Sequence, residues 1–350
     1  MKLPKLAAKE SVHRILARSP HSPQLRLGFW GTLVAALTLT SASPLWAINC
    51  ATQAAIPAAD RAALLAAATP LAAAMATQNL ATLQGALLPA IAADWESIRG
   101  VAQGAAPLLK GGELRWRNVY LLDATDLKAP SDAQFFCTNA DSSITVTISL
   151  HSLPPGRYGL LLGDYPMSPL AGQIAFILGN DSGWKLGGLF AREGALEGHD
   201  GVWYWTRARE QAQKPGTWSA YFSYEAARLL LLPVDFLSSP NLEQLNREQA
   251  QLKSSPLDSL PLSLAGPAGK TWRITALHFD SALHVPDLSL TYEGTGLTEP
   301  VAARAEAVSV MSALLKQHPD LRENFHGLWA YAESDGKRSF AIEQAMRDIP

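Results

Sequence analysis

The rhythm of apolar and polar positions changes several times along the chain. Residues 51–110 are rich in Ala and Leu and predict helices. Pro57 and Asp60 suit a first helical turn, and the run Ala62 to Ala68 has high helix propensity. Pro70 and Pro89 divide this region into short segments, and Pro107 with Gly111-Gly112 closes it. From Glu113 to Asp123 the period drops to two, with Leu114, Trp116, Asn118, Tyr120 and Leu122 on one face. A second alternating run carries Ile144, Val146, Ile148 and Leu150. Arg157–Gly163, Gln173–Leu178 and Trp184–Ala191 predict further strands, the last two joined by a hairpin turn at Asn180-Asp181-Ser182-Gly183.

Helical spacing returns over residues 198–253. Two antiparallel helices are expected at Asp200–Gln213 and Thr217–Leu232, the second with a stripe of Tyr221, Tyr224, Ala227, Arg228 and Leu231. A polar third helix covers Asn241–Lys253. The spacing of Gly201, Tyr204 and Ala208 is faintly like a tetratricopeptide unit, but no second copy exists to form an array. Residues 254–269, rich in Ser, Pro, Leu and Gly, predict a linker. Beyond it lie strands at Thr271–Asp280 and Asp287–Glu293. A helix over Val301–Gln317 follows, with stripe Val301, Ala305, Val308, Met311 and Leu315. A last strand pair, Gly327–Glu333 and Ser339–Glu343, turns at Ser334-Asp335-Gly336-Lys337.

Runs of helices followed by runs of strands predict an α+β protein, not alternating βαβ units. The expected plan is residues 1–47 as leader, 48–197 as an α+β domain, 198–253 as a helical hairpin region, 254–269 as linker and 270–350 as a small α+β domain.

The first 26 residues carry six bases against one acid, and no charge occurs from Leu27 to Ala59. Leu27–Leu39 has the length of a signal-peptide apolar core, and Leu45-Trp46-Ala47 offers a small residue for cleavage. A periplasmic or secreted protein follows. The alternatives are a retained anchor, touching a membrane only through the uncleaved segment, and an organelle-targeting leader. Cleavage removes six of 29 bases and one of 31 acids, leaving a net charge near −7. That disfavours a nucleic-acid partner, which demands a basic face.

The two cysteines, Cys50 and Cys137, both follow the leader. In an oxidising compartment they predict one disulfide, with two unpaired thiols as the alternative.

Helices followed by a curved sheet ending in Asp181-Ser182-Gly183-Trp184-Lys185-Leu186-Gly187-Gly188-Leu189 resemble the NTF2-like family of cone folds, which includes the SnoaL-like proteins. The resemblance covers residues 51–193. The Ala-rich opening and the long Ala124–Gln134 loop depart from it. It implies a pocket inside the cone, with Trp116, Asn118, Tyr120 and Tyr158 as candidate ligand-binding residues; a filled structural core is the alternative.

Catalytic motifs are scarce. The histidines show no metal-ligand spacing, so no metal is expected. No nucleophile elbow, phosphate loop or dinucleotide fingerprint is present, and no cofactor is expected. His151 and Asp164 could form an acid–base pair if they converged in the cone. The function expected first is a non-enzymatic binding or scaffold protein of the cell envelope, holding a small apolar ligand or a protein partner. The alternative is a hydrolase or isomerase using His151 and Asp164. The aromatic group Trp203-Tyr204-Trp205, Trp218, Tyr221, Phe222 and Tyr224 reads as packing between helices, or as a partner-binding groove.

Overall fold

A computed structural model describes residues 47–350 except 140, 169, 215–217, 297–298 and 335–336. The leader up to Trp46, Lys214-Pro215-Gly216 as a complete turn, and the centre of the last hairpin lie outside the described residues.

The fold is mixed α+β. Strand β1 (Ala47–Thr52) comes first. Helices α1 (Ala58–Ala76), α2 (Leu80–Gly85), α3 (Trp95–Gly104) and α4 (Ala106–Leu109) follow. Six long strands come next: β2 (Arg115–Asp123), β3 (Ser131–Thr138), β4 (Thr145–Leu153), β5 (Arg157–Tyr165), β6 (Gly172–Asn180) and β7 (Trp184–Glu193). A two-strand ribbon, β8 (Ala195–Leu196) and β9 (His199–Asp200), leads into α5 (Gly201–Ala212) and α6 (Ser219–Leu231). Then come β10 (Leu237–Ser238) and α7 (Pro240–Ala250).

The expected hairpin at 180–183 is present, with Asn180 facing Trp184 across β6 and β7. Pro70 does not end a helix as expected, because α1 runs through it. Burial of Leu64, Ala68, Leu71, Ala72 and Met75 against the sheet outweighs the defect of about 3 kcal/mol that an interior proline brings. The loop expected at 124–134 is shorter, since β3 begins at Ser131.

The strands form one eight-stranded sheet in the order β10-β4-β3-β1-β2-β5-β6-β7. Neighbours are antiparallel except β1 and β3. Cys50 of β1 and Cys137 of β3 are joined by a disulfide, their Cα atoms 5.4 Å apart. Helices α1–α4 cover one face, packing Leu64, Met75, Leu83 and Ile98 against Val119, Leu161, Phe176 and Leu186.

The sheet curls strongly. In a flat sheet β4 and β7 would stand about 29 Å apart, six steps of about 4.8 Å. Here the segment 232–238 meets both. Ser149 N of β4 donates to Phe236 O, while the Phe236 ring packs edge-on against Phe190 of β7 at 5.4 Å. Arg192 of β7 donates to Leu232 O and to Asp235 Oδ1. The segment therefore seams the two borders together. Inside the curl, Tyr120, Leu122, Phe135, Ile148, Leu160 and Leu162 make a second core.

The region expected to be a linker contributes structure instead. A 3-10 turn at Pro256–Ser259 leads to strand β11 (Leu262–Ala265), the border of a five-stranded sheet. Its order is β11-β12-β13-β14-β15, with β12 (Thr271–Asp280), β13 (Asp287–Glu293), β14 (Gly327–Ser334) and β15 (Lys337–Ala345). Leu264, completely buried, anchors β11 in the core despite the Pro- and Ser-rich composition around it. β13 and β14 are parallel and are joined through α8 (Pro300–Gln317) and α9 (Asp320–Asn324). The buried side of α8 is Ala303, Glu306, Ala307, Val310, Met311, Leu314 and Leu315, rotated from the expected stripe. Val301 is 75% exposed. Glu306 turns inward because Lys270, Trp272 Nε1 and Thr295 all donate to it.

Candidate functional site

The open end of the curled sheet holds a groove of about 870 Å³. One wall is the end of β4 with the Pro154-Pro155-Gly156 turn, and the opposite wall is β6 and β7 at Ile177 and Phe190. Phe236 and Leu237 of the seam form a third side. The stretch Leu88–Ile91, between α2 and α3, forms the fourth. That stretch hangs on the sheet through Leu88 N to Leu186 O and Leu186 N to Ala86 O, both 2.8 Å.

The lining is mainly apolar: Leu88, Ile91, Leu150, Ile177, Phe190 and Phe236. The charged side chains at its edge are already paired. His151 Nδ1 meets Asp132 Oδ2 at 3.1 Å, Arg157 meets Asp60 at 2.7 Å, Asp235 meets Arg192 at 2.8 Å and Asp181 meets Lys185 at 3.7 Å. Hydrogen bonds from Ser152 N and from His151 hold the Asp132 carboxyl below its ordinary range. Tyr158 lines the groove with its hydroxyl donated to Pro154 O at 2.8 Å, and burial raises its phenol pKa. With these polar groups paired, what the groove offers a ligand is dry surface.

The expected ligand-binding residues separate into different places. Tyr158 lies in the groove. Tyr120 is packed inside the second core, 1% exposed, where burial, only partly opposed by Arg117, raises its pKa to about 12. Asn118 is also buried, opposite Leu162. Trp116 belongs to the other face. A β-bulge between Trp116 and Asn118 inserts Arg117 and reverses the alternation. Trp116 therefore packs on Phe176 beneath α1 and donates from Nε1 to Thr69 at 3.3 Å.

His151 and Asp164 are not brought together. His151 stands at the groove, while Asp164 is six residues beyond Tyr158 along β5, about 20 Å away at an extended rise. Asp164 instead faces Arg117 at 3.4 Å. Burial raises its pKa and the Arg117 charge opposes that shift. The alternative acid–base pair of His151 and Asp164 has no geometric basis: each is paired elsewhere, with Asp132 and Arg117.

Two parts of the groove, Leu88–Ile91 and Asp235–Ser238, carry no site signal in the sequence. Each is a short run close to a proline, and only the curl brings them to one opening. Most of the aromatic group is packing: Tyr204, Trp218, Phe222 and Tyr224 are buried, whereas Trp203 is 42% exposed. Among the described residues, no helix is long and apolar enough to cross a membrane. None of their His, Cys, Asp and Glu side chains gathers in a group of three or more that could hold a metal. Compared with protein families, with curated proteins and with solved structures, the chain matches none of them.

Proposed function

We propose that this protein is a non-enzymatic, extracytoplasmic binding protein that carries an elongated apolar small molecule in the groove of its curled sheet. The observation that carries the reading is an 870 Å³ apolar groove whose edge charges are already paired. Sites of this volume with apolar linings bury most of a drug-sized ligand. The disulfide supports a periplasmic or secreted location, as does the basic-then-apolar leader pattern. Helices α1–α4 laid on one face of a curled, mainly antiparallel sheet support reading residues 48–197 as an NTF2-like cone.

The test is displacement of a dansylated C11 fatty acid from the purified protein, with mass spectrometry of the co-purifying lipids. Binding is expected with weak salt dependence, because burial of apolar area and not charge drives it. Ile177→Glu places a carboxylate in the half-buried wall and is expected to abolish binding while the melting temperature falls little. A chain that holds neither probe nor lipid, or an Ile177→Glu variant that binds as tightly as the parent, refutes the proposal.

A further inference from the structure

A second, smaller cleft of about 220 Å³ lies where α5 meets the C-terminal sheet, far in chemistry from the apolar groove. Two of its side chains are aimed by buried or half-buried partners. Asp287 is completely buried at the start of β13. It accepts from Trp329 Nε1 at 3.1 Å and lies 3.2 Å from His326 Nδ1. The backbone of His326 is pinned as well, its N donating to Pro286 O and its O accepting from Met346 N. Gly327 makes this approach possible, since a Cβ there would stand 2.8 Å from Asp287 Oδ1. With Nδ1 committed to the carboxylate, the imidazole presents Nε2 to the cleft.

Across the cleft, Arg207 Nη2 donates to Asn324 Oδ1 at 3.0 Å. Asn324 is itself held by Gln211 at 2.7 Å and by Asp320 O at 2.6 Å, and Gln211 accepts from buried Ser223 at 2.7 Å. That chain fixes the guanidinium, whose ion pair among the described residues is with Glu210 at 3.7 Å. Glu197 and Glu323 also line the cleft, and neither forms an ion pair among the described residues. Trp203, stacked on His199 at 3.8 Å, supplies an exposed aromatic wall.

We infer that this cleft is a binding site for a small zwitterion of the α-amino acid class. Arg207 takes the carboxylate, and Nε2 of His326 with the two glutamates takes the ammonium. The Trp203–His199 stack takes the side chain. Two acids beside one guanidinium repel a dianion such as phosphate but complement a molecule carrying both signs. A planar guanidinium suits a carboxylate.

The test is calorimetric titration of the full chain with each of the common L-amino acids, and with acetate, ethylammonium and inorganic phosphate. At least one amino acid is expected to bind with Kd of about 1 mM or tighter. Acetate and ethylammonium each bind at least ~10-fold more weakly, and Arg207→Gln and Glu323→Gln each lose ~10-fold or more. In the unsubstituted protein, titration with that amino acid is expected to move the His326 ring signal, assigned with His326→Gln. The ring readout holds even if a variant misfolds. No amino acid binding, phosphate binding more tightly than any amino acid, or a His326 signal that stays still overturns the inference. Ile177→Glu is expected to leave this binding unchanged, which separates it from the apolar groove.

Discussion

At the scale of single residues, the firmest polar contact is Glu248. Its carboxylate accepts Arg209 Nε and Nη2, both at 2.8 Å, Trp205 Nε1 at 2.7 Å and Gln244 Nε2 at 2.9 Å. The Arg209 bonds, opposed by partial burial, pull its pKa down to about 2. An unfolded glutamate titrates near ~4.3. The stabilisation is therefore complete above pH ~4.3 and is lost as pH falls toward 2, on the order of 2–3 kcal/mol in all. Glu248→Gln is expected to cost about 2 kcal/mol at neutral pH in urea unfolding. The gap to the parent should close steadily between pH 5 and pH 2, by roughly that amount. A gap that stays constant with pH would show that the carboxylate charge is not the stabilising element. No spacing rule connects Arg209 to a glutamate 39 residues away, so this contact is not legible in the sequence.

At the scale of elements, the alternation of apolar and polar residues located the strands well. Thr271–Asp280 and Asp287–Glu293 match β12 and β13 to the residue. Failures occurred where a local rule met a tertiary demand. The bulge at Arg117 sent Trp116 to the opposite face from Tyr120, and no pattern of residue types announces a bulge. The expected α8 stripe holds at Met311 and Leu315 but not at its start, because Glu306 faces inward to accept from Lys270 and Trp272. The disulfide was legible, since only two cysteines exist. It ties β1, which precedes the helices, to β3, which follows them, with a sequence separation of 87. Cys50→Ser with Cys137→Ser is expected to cost about 3–5 kcal/mol in urea unfolding, most of it through the denatured chain. A cost under about 1 kcal/mol would mean that the strand pairing alone secures β1.

At the scale of the whole molecule, α6 joins the two sheets. Its first residues belong to the C-terminal half: Asp320 Oδ2 accepts from Trp218 N and Ser219 N, and Trp218 stacks on His318 at 3.4 Å. Phe222, completely buried, sits in the C-terminal core. The last turn belongs to the curled sheet, where Gln173 Nε2 donates to Leu230 O at 2.7 Å. This explains why α6 is buried nearly all round, when the sequence suggested a single stripe. Phe222→Ala is expected to cost about 3–5 kcal/mol. Far-UV dichroism and tryptophan fluorescence should still report one coincident transition. Two separated transitions would show that the halves fold independently of α6.

The fit of Leu88 over the curled sheet has a practical corollary. Built Cβ atoms at Gly179 and Gly187 would lie 2.6 Å and 3.1 Å from Leu88 Cδ1. The bore of the groove is thus gauged by two residues with no side chain. Ala, Val and Leu placed in turn at position 187 should lift that wall in increments. If the groove holds the proposed apolar ligand, the chain length of the best-retained fatty acid would then shift with each increment, and the protein would serve as a caliper for ligand length.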